Sequence, residues 1–365
     1  MRESSNLDLL RAVAVLCVFF AHLHDVCSGD HSEISWHFGQ MGVLIFFVHT
    51  SLVLMRSIQR MRLGGTSLFV SFYVRRWFRI YPLSVCCVLW AYASGITPEH
   101  VARHWNIREL LTNLSLTQNL FYTDSMVGGL WTLPLEVQMY LVLPILFVLF
   151  RSRSLQWLFV LLILTIPVAM AQPAITGRLN VLGYVPCFLG GVLAWRIADL
   201  YGPVLSGGYW PAALIAVTPV WLLATRAQDM LYRWGFCLAL GLVIPWFRDI
   251  SWRCLTYPAK VVAKYSYGIY LSHIAVMMFA FRDLRSHSSV VQWSVFVVLA
   301  VTVPLIAYHV VENPLILAGR NIVRRFEGGR LLERVEVPGV PVSAALGEYQ
   351  QGVLEVSLAI EAARS

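Results

Sequence analysis

Ten apolar segments recur along this chain, at residues 7–24, 40–57, 80–96, 131–150, 155–173, 179–197, 209–225, 231–247, 262–283 and 290–312. Each is close to the ~20 residues that a helix needs to cross a hydrocarbon layer. Lipid offers no partner to backbone N–H and C=O groups, so such segments cross as helices, whose hydrogen bonds close within the segment. The expected fold is an all-α polytopic membrane protein, a bundle of about ten transmembrane helices. Composition agrees, because 13% of the 365 residues are charged, about half the roughly 25% of a soluble domain. That excludes a soluble enzyme and a disordered tail protein. Five of the seven cysteines (Cys17, Cys86, Cys87, Cys187 and Cys237) lie in apolar runs, and no CxxC pair occurs. Neither a disulfide frame nor a metal site is therefore expected. Arg11 interrupts the first segment, which reads as a span and not as a cleaved signal.

The net charge of +8 points to orientation and not to nucleic acid. With the N-terminus in the cytoplasm, 20 basic residues fall on that side and 7 on the other, with Arg11 left inside the membrane. Both termini are thus expected in the cytoplasm. Residues 1–316 form the expected membrane domain. Residues 317–365 form an arginine-rich cytoplasmic tail, interrupted by Pro-Gly-Val-Pro at 338–341 and expected to be flexible. The longest extracytoplasmic connection is 97–130, with a short interfacial helix expected within 105–120. No internal repeat is apparent.

Ionisable residues inside such a bundle need a reason to be there. A charge at helix mid-depth costs about 2.5–3.5 kcal/mol on insertion scales. Arg11 is such a charge; it could pair with Asp8 one turn back and reach the inner interface. His22 follows eleven residues later, about 20° past three full turns, so the two share a face separated by roughly 16 Å of rise. Glu136 opens the fourth segment at a similar expected depth to His22, behind Trp131-Thr132-Leu133-Pro134, with Tyr140 four residues on. A histidine and a carboxylate at matching depth suffice for general acid–base work; the alternative is a helix-start glutamate favoured by the dipole. On the cytoplasmic side Arg75, Arg76 and Arg79 precede the third segment. Arg76 and Arg79 could clamp a phosphate, or simply anchor the helix. Tyr270 and His273 are i, i+3 neighbours in mid-membrane, and His309, Glu312 and Pro314 end the last segment.

In chain order these pieces resemble the integral-membrane acyltransferase 3 family. Leu7-Asp8-Leu9-Leu10-Arg11 through His22 is similar to that family's Arg-x10-His first helix. Phe46-Phe47-Val48, Arg76-x-x-Arg79 with Tyr81-Pro82, and Trp131-Thr-Leu-x-x-Glu136-x-x-x-Tyr140 follow in order. Tyr265-Ser-Tyr-Gly-Ile-Tyr-Leu271 and Glu312-Asn-Pro314 complete a likeness spanning about residues 5–316. Thr50-Ser51-Leu52 stands where the family usually has Ser-Gly-aromatic.

The resemblance implies an enzyme of the cell envelope, multi-pass in the inner membrane. Its reaction would move an acyl group, usually acetyl, from cytoplasmic acyl-CoA to a hydroxyl of an extracytoplasmic or lipid-linked glycan. The donor acts as a substrate, and no permanently bound cofactor is expected. It further implies that Arg75, Arg76 and Arg79 hold the CoA phosphates, and that Arg11 stabilises the donor or developing negative charge. His22 would act as general base, with Glu136 orienting it or returning the proton. Trp131, Tyr140, Tyr270 and His273 are the candidate substrate-binding residues. A permease would also show many helices and buried ionisable groups, but more often with an internal repeat. The two readings part on whether the chain binds acyl-CoA and releases free thiol.

Overall fold

The computed structural model describes residues 4–29, 32–95, 104–178, 180–224 and 230–335, and among these the chain is helical with no β-strand. The long helices are α1 (Ser5–Ser28), α2 (Glu33–Met61) and α3 (Gly65–Ser94), followed by the short α4 (Ile107–Leu114) and α5 (Gln118–Phe121). Next come α6 (Leu133–Phe150), α7 (Leu155–Thr176), α8 (Val181–Tyr201), α9 (Trp210–Ala224) and α10 (Met230–Val243). The chain then forms α11 (Arg253–Met278), α12 (Ser289–Ile306) and α13 (Asn313–Val335). The local chemistry sets several boundaries. α1 stops where Gly29 takes a left-handed φ of 69°, as glycine does without a Cβ penalty. α4 lies within the stretch expected to hold an interfacial helix. It opens on a capping box in which Asn106 and Glu109 each bond the other's backbone N–H. α6 has Pro134 in its first turn, where a missing N–H is harmless.

Six helical stretches among the described residues are long and apolar enough to cross a membrane: Ser5–Ser28, Glu33–Met61, Gly128–Phe150, Leu155–Thr176, Val181–Tyr201 and Ser289–Glu327. Four of the ten expected segments fall on other helices. α9 and α10 are short in the described chain, at 15 and 14 residues. α3 and α11 are long, at 30 and 26 residues, but three arginines interrupt the one and Lys260, Lys264 and a Tyr-Ser-Tyr-Gly run dilute the other. The last helix also crosses the expected boundary at 316. α13 packs along α3, and its Glu327 accepts a hydrogen bond from Ser71 at 3.0 Å and lies 3.6 Å from Arg75. Residues 336–365, with the Pro-Gly-Val-Pro stretch, lie outside the described residues.

The centre is built from α1, α2, α8, α10 and α11, packed through small residues, which let helix backbones approach where hydrophobic expulsion is weak. A Cβ at Gly42 of α2 would come within 2.5 Å of the Ala14 carbonyl of α1. At Gly191 of α8 it would overlap Ser51 Oγ and the Val48 carbonyl of α2, and at Gly241 of α10 the Gly190 carbonyl. The Ser51 hydroxyl itself donates back to the Phe47 carbonyl at 2.8 Å, so it cannot swing away without losing a buried bond. We expect Gly191→Ala to lower stability by roughly 1–3 kcal/mol, the usual overpacking penalty. Gly235→Ala, with open space at its Cβ, should be neutral or slightly stabilising. Thermal melting of the two purified variants in detergent checks both.

Candidate active site

Two neighbouring cavities share part of their lining. The larger, about 710 Å³, is lined by Arg56 and Arg60 of α2, Arg75, Arg76 and Arg79 of α3, Lys260 and Lys264 of α11, Arg320 of α13 and Arg11 of α1. Asp8 and Asp249 are the carboxylates in this wall. The volume lies in the range of small-molecule and cofactor sites, and the excess of cations suits a polyanion. The smaller cavity, about 80 Å³, is lined by Arg11, Arg76, Arg79, Thr132, Glu136, Tyr140, Ser266, Tyr267 and Tyr270, with Phe46, His49 and Thr50 from α2. It offers several times the ~10–15 Å³ that one water-sized group requires. Arg11, His49, Val53, Arg76 and Arg79 line both cavities and form the neck between them.

The hydrogen bonds fix these side chains one by one. Arg11 Nε donates to Ser266 Oγ at 2.6 Å, and that hydroxyl donates onward to the Ala263 carbonyl at 2.8 Å. The intramembrane arginine is thereby held by the Tyr-Ser-Tyr run of α11. Arg79 donates to Glu312 Oε2 at 3.0 Å, and the Glu312 side chain is completely buried. Glu312 closes a π-helical turn, Ala307–Glu312, between α12 and α13; such turns often mark functional positions. Tyr140 donates to Glu136 Oε2 at 2.7 Å across one helical turn of α6. Thr132 and Tyr270 share a hydroxyl–hydroxyl bond of 2.8 Å, and Gly129 lies against the Tyr270 backbone, where a Cβ would come within 2.9 Å of its carbonyl. Tyr267 donates to the Ile80 carbonyl at 2.7 Å, tying α11 to α3 beside Pro82.

The two histidines form a separate pair. His22 of α1 and His273 of α11 have ring centroids 5.2 Å apart. His273 Nδ1 lies 2.8 Å from the Tyr270 carbonyl. A carbonyl only accepts, so Nδ1 carries the proton and Nε2 a lone pair. Nε2 is buried and has no hydrogen-bond partner among the described residues. Tyr270 links the pair to the small cavity: its hydroxyl meets Thr132 and its ring centroid is 6.0 Å from that of His273.

Of the candidates from sequence, Arg11, Arg76, Arg79, Glu136, Tyr140 and Tyr270 thus come together around one cavity. Arg75 lines only the larger one. His22 stands with His273, while Glu136 stands with Arg11, Tyr140 and Tyr270. Trp131 packs toward Tyr184 of α8, at 6.4 Å between centroids. Sequence reasoning missed His49, Arg56, Arg60 and Arg320. Arg56 and Arg60 stand four residues apart and could have been flagged as a clamp, just as Arg76 and Arg79 were. His49 is a buried histidine within an expected span, the same anomaly that singled out Arg11.

An acyltransferase-domain family model, that of acyltransferase 3, matches residues 4–309, most of the chain. The chain belongs to the acyltransferase 3 family. It is an acyltransferase and a multi-pass membrane protein, which decides against the permease alternative. Nodulation protein 10 of Rhizobium leguminosarum bv. viciae is 27% identical over 368 aligned positions, covering 88% of this chain and 95% of that protein. The O-acetyl transferase of Shigella phage Sf6 is 27% identical over 158 positions, covering 39% of this chain and 45% of that one. No solved structure matches.

Proposed function

We propose that this acyltransferase moves a short acyl group, acetyl above all, from cytoplasmic acyl-CoA to a hydroxyl of an extracytoplasmic or lipid-linked carbohydrate. The observation that carries this reading is a pair of adjacent cavities sharing five lining residues, one large and cationic, the other small and furnished with a carboxylate and tyrosines. The CoA phosphates occupy the larger, against Arg56, Arg60, Arg75, Lys260, Lys264 and Arg320. Its acyl end reaches through the neck past Arg11, Arg76 and Arg79. The small volume favours a two-carbon acyl group over a long chain. The name of the phage relative favours O-acetyl transfer.

The acceptor oxygen attacks the thioester carbonyl and gives its proton to His22. The carbon–sulfur bond breaks, and CoA leaves as a thiolate that takes up the proton from His22, which returns to its neutral form. His273, held by the Tyr270 carbonyl, keeps its Nε2 lone pair beside His22 for a hydroxyl donor. Arg11, about three helical turns from His22 on α1, holds the donor arm in the neck, and Glu136, oriented by Tyr140, sets the hydrogen bonds of the small cavity. In the bilayer α3, α9, α10 and α11 complete a ten-span bundle with the six long apolar stretches. Both termini then lie in the cytoplasm, with the basic cavity facing the donor in a bacterial inner membrane.

Mass spectrometry of ester-linked acyl groups on surface glycans and extractable lipids tests the reading. Cells lacking the gene gain an acyl mass increment when wild type is restored, and the shifted molecule identifies the acceptor. No change in any ester would overturn the proposal. In the same enzyme, Lys260→Gln with Lys264→Gln should raise KM for acyl-CoA about tenfold or more and leave kcat nearly unchanged. These cations bind phosphate equally in ground and transition states. Initial rates over a range of donor concentrations measure the split.

A further inference from the structure

Five side chains line both cavities, and a donor arm reaching from one to the other must pass them: Arg11, His49, Val53, Arg76 and Arg79. Three are guanidiniums, which donate hydrogen bonds and accept none. Val53 offers neither. His49 is buried and lines the larger cavity together with Leu7 and Asp8 of α1. A neutral imidazole carries the proton on one ring nitrogen and a lone pair on the other, so in either tautomer it offers one acceptor. His49 is therefore the acceptor among the described side chains of the neck.

The pantetheine arm of an acyl-CoA carries two amides. Their carbonyls find donors among the neck arginines, whereas an amide N–H passing the same point needs an acceptor, and a buried N–H left without one loses the bond it had with water. We infer that His49 is a positioning residue for the donor, accepting a hydrogen bond from a pantetheine amide N–H as the arm threads from the basic cavity into the catalytic one. The residue has the backbone to hold that position. Gly191 of α8 fits directly against the Val48 carbonyl and Ser51, so the turn of α2 that carries His49 is fixed against α8. The inference rests on the acyl-CoA reading above and adds a role that separates the arm from the phosphates.

Binding measured on the full-length protein in lipid nanodiscs tests it with two probes. Acetyl-CoA carries the arm; adenosine 3′,5′-bisphosphate carries phosphates and no arm. His49→Leu should weaken acetyl-CoA binding roughly tenfold, the scale of one buried hydrogen bond, and leave the bisphosphate unchanged. His49→Gln, which restores an acceptor, should recover most of the loss. Should the leucine variant fail to accumulate, His49→Met keeps a similar volume without a strong acceptor and is read in the same way. Unchanged acetyl-CoA binding in the apolar variant would overturn the role of His49 and leave the acyl-CoA reading intact. Equal weakening of both probes would also overturn it, since His49 would then only support the cavity wall. Binding of neither probe by wild type would overturn both.

Discussion

Replacing His22 by alanine is expected to reduce acyl transfer by a factor of roughly 10²–10⁴, the usual contribution of a positioned general base, while membrane abundance stays at the wild-type level. The side chain is only half-buried, so its removal leaves no large core cavity. Its ring faces His273, whose own tautomer is set by the Tyr270 carbonyl. That leaves an imidazole lone pair at a place where a hydroxyl can dock. Initial rates at saturating acyl-CoA, normalised to protein by immunoblot, measure the effect. A rate equal to wild type would remove His22 from the chemistry, and His273, whose Nε2 lone pair the substitution leaves in place, would be the base to test next.

The second large effect concerns Glu312. Its side chain is completely buried and paired with Arg79 at 3.0 Å. Removing Glu312 takes the partner from the Arg79 guanidinium, itself 22% exposed, and costs roughly 1–3 kcal/mol, the scale of a hydrogen bond to a charged group, whereas replacing both by apolar groups is often neutral or stabilising. Glu312→Ala should therefore lower the melting temperature sharply and abolish activity. The double variant Arg79→Met with Glu312→Leu should recover stability and remain inactive, because Arg79 belongs to the neck as well as to the pair. Thermal melts and rates on the three proteins separate the two roles. Activity returning with stability in the double variant would show that Arg79 serves the fold alone.

Helical arithmetic made part of this site legible in the sequence. The i, i+4 spacing of Glu136 and Tyr140 becomes a hydrogen bond of 2.7 Å. Arg76 and Arg79, one turn apart, both reach the neck. Contacts between distant parts of the chain were not legible. Arg79 and Glu312 are 233 positions apart, and Arg11 and Ser266 are 255 apart. The π-helical turn that presents Glu312 leaves no trace in hydrophobic periodicity. The expected spans diverged from the six apolar stretches most tellingly at α3 and α11. These two long helices supply cations and hydroxyls to the cavities, and the same residues lower their hydropathy. His49 was visible as a histidine inside an apolar run. Its place between two cavities depends on α1, α2 and α3 meeting at one level, which no single segment encodes.

In the proposed enzyme the donor runs from a phosphate-binding cavity through the shared neck to the acyl-transfer site. This is tested most directly by giving the purified protein in lipid vesicles acetyl-CoA labelled in its acetyl group, together with a total envelope extract as acceptor. Free thiol and labelled ester are followed together. The expected result is one thiol released for each ester formed, with both lost in His22→Ala. Thiol release no greater than that of protein-free vesicles, with no label in any ester, would contradict it.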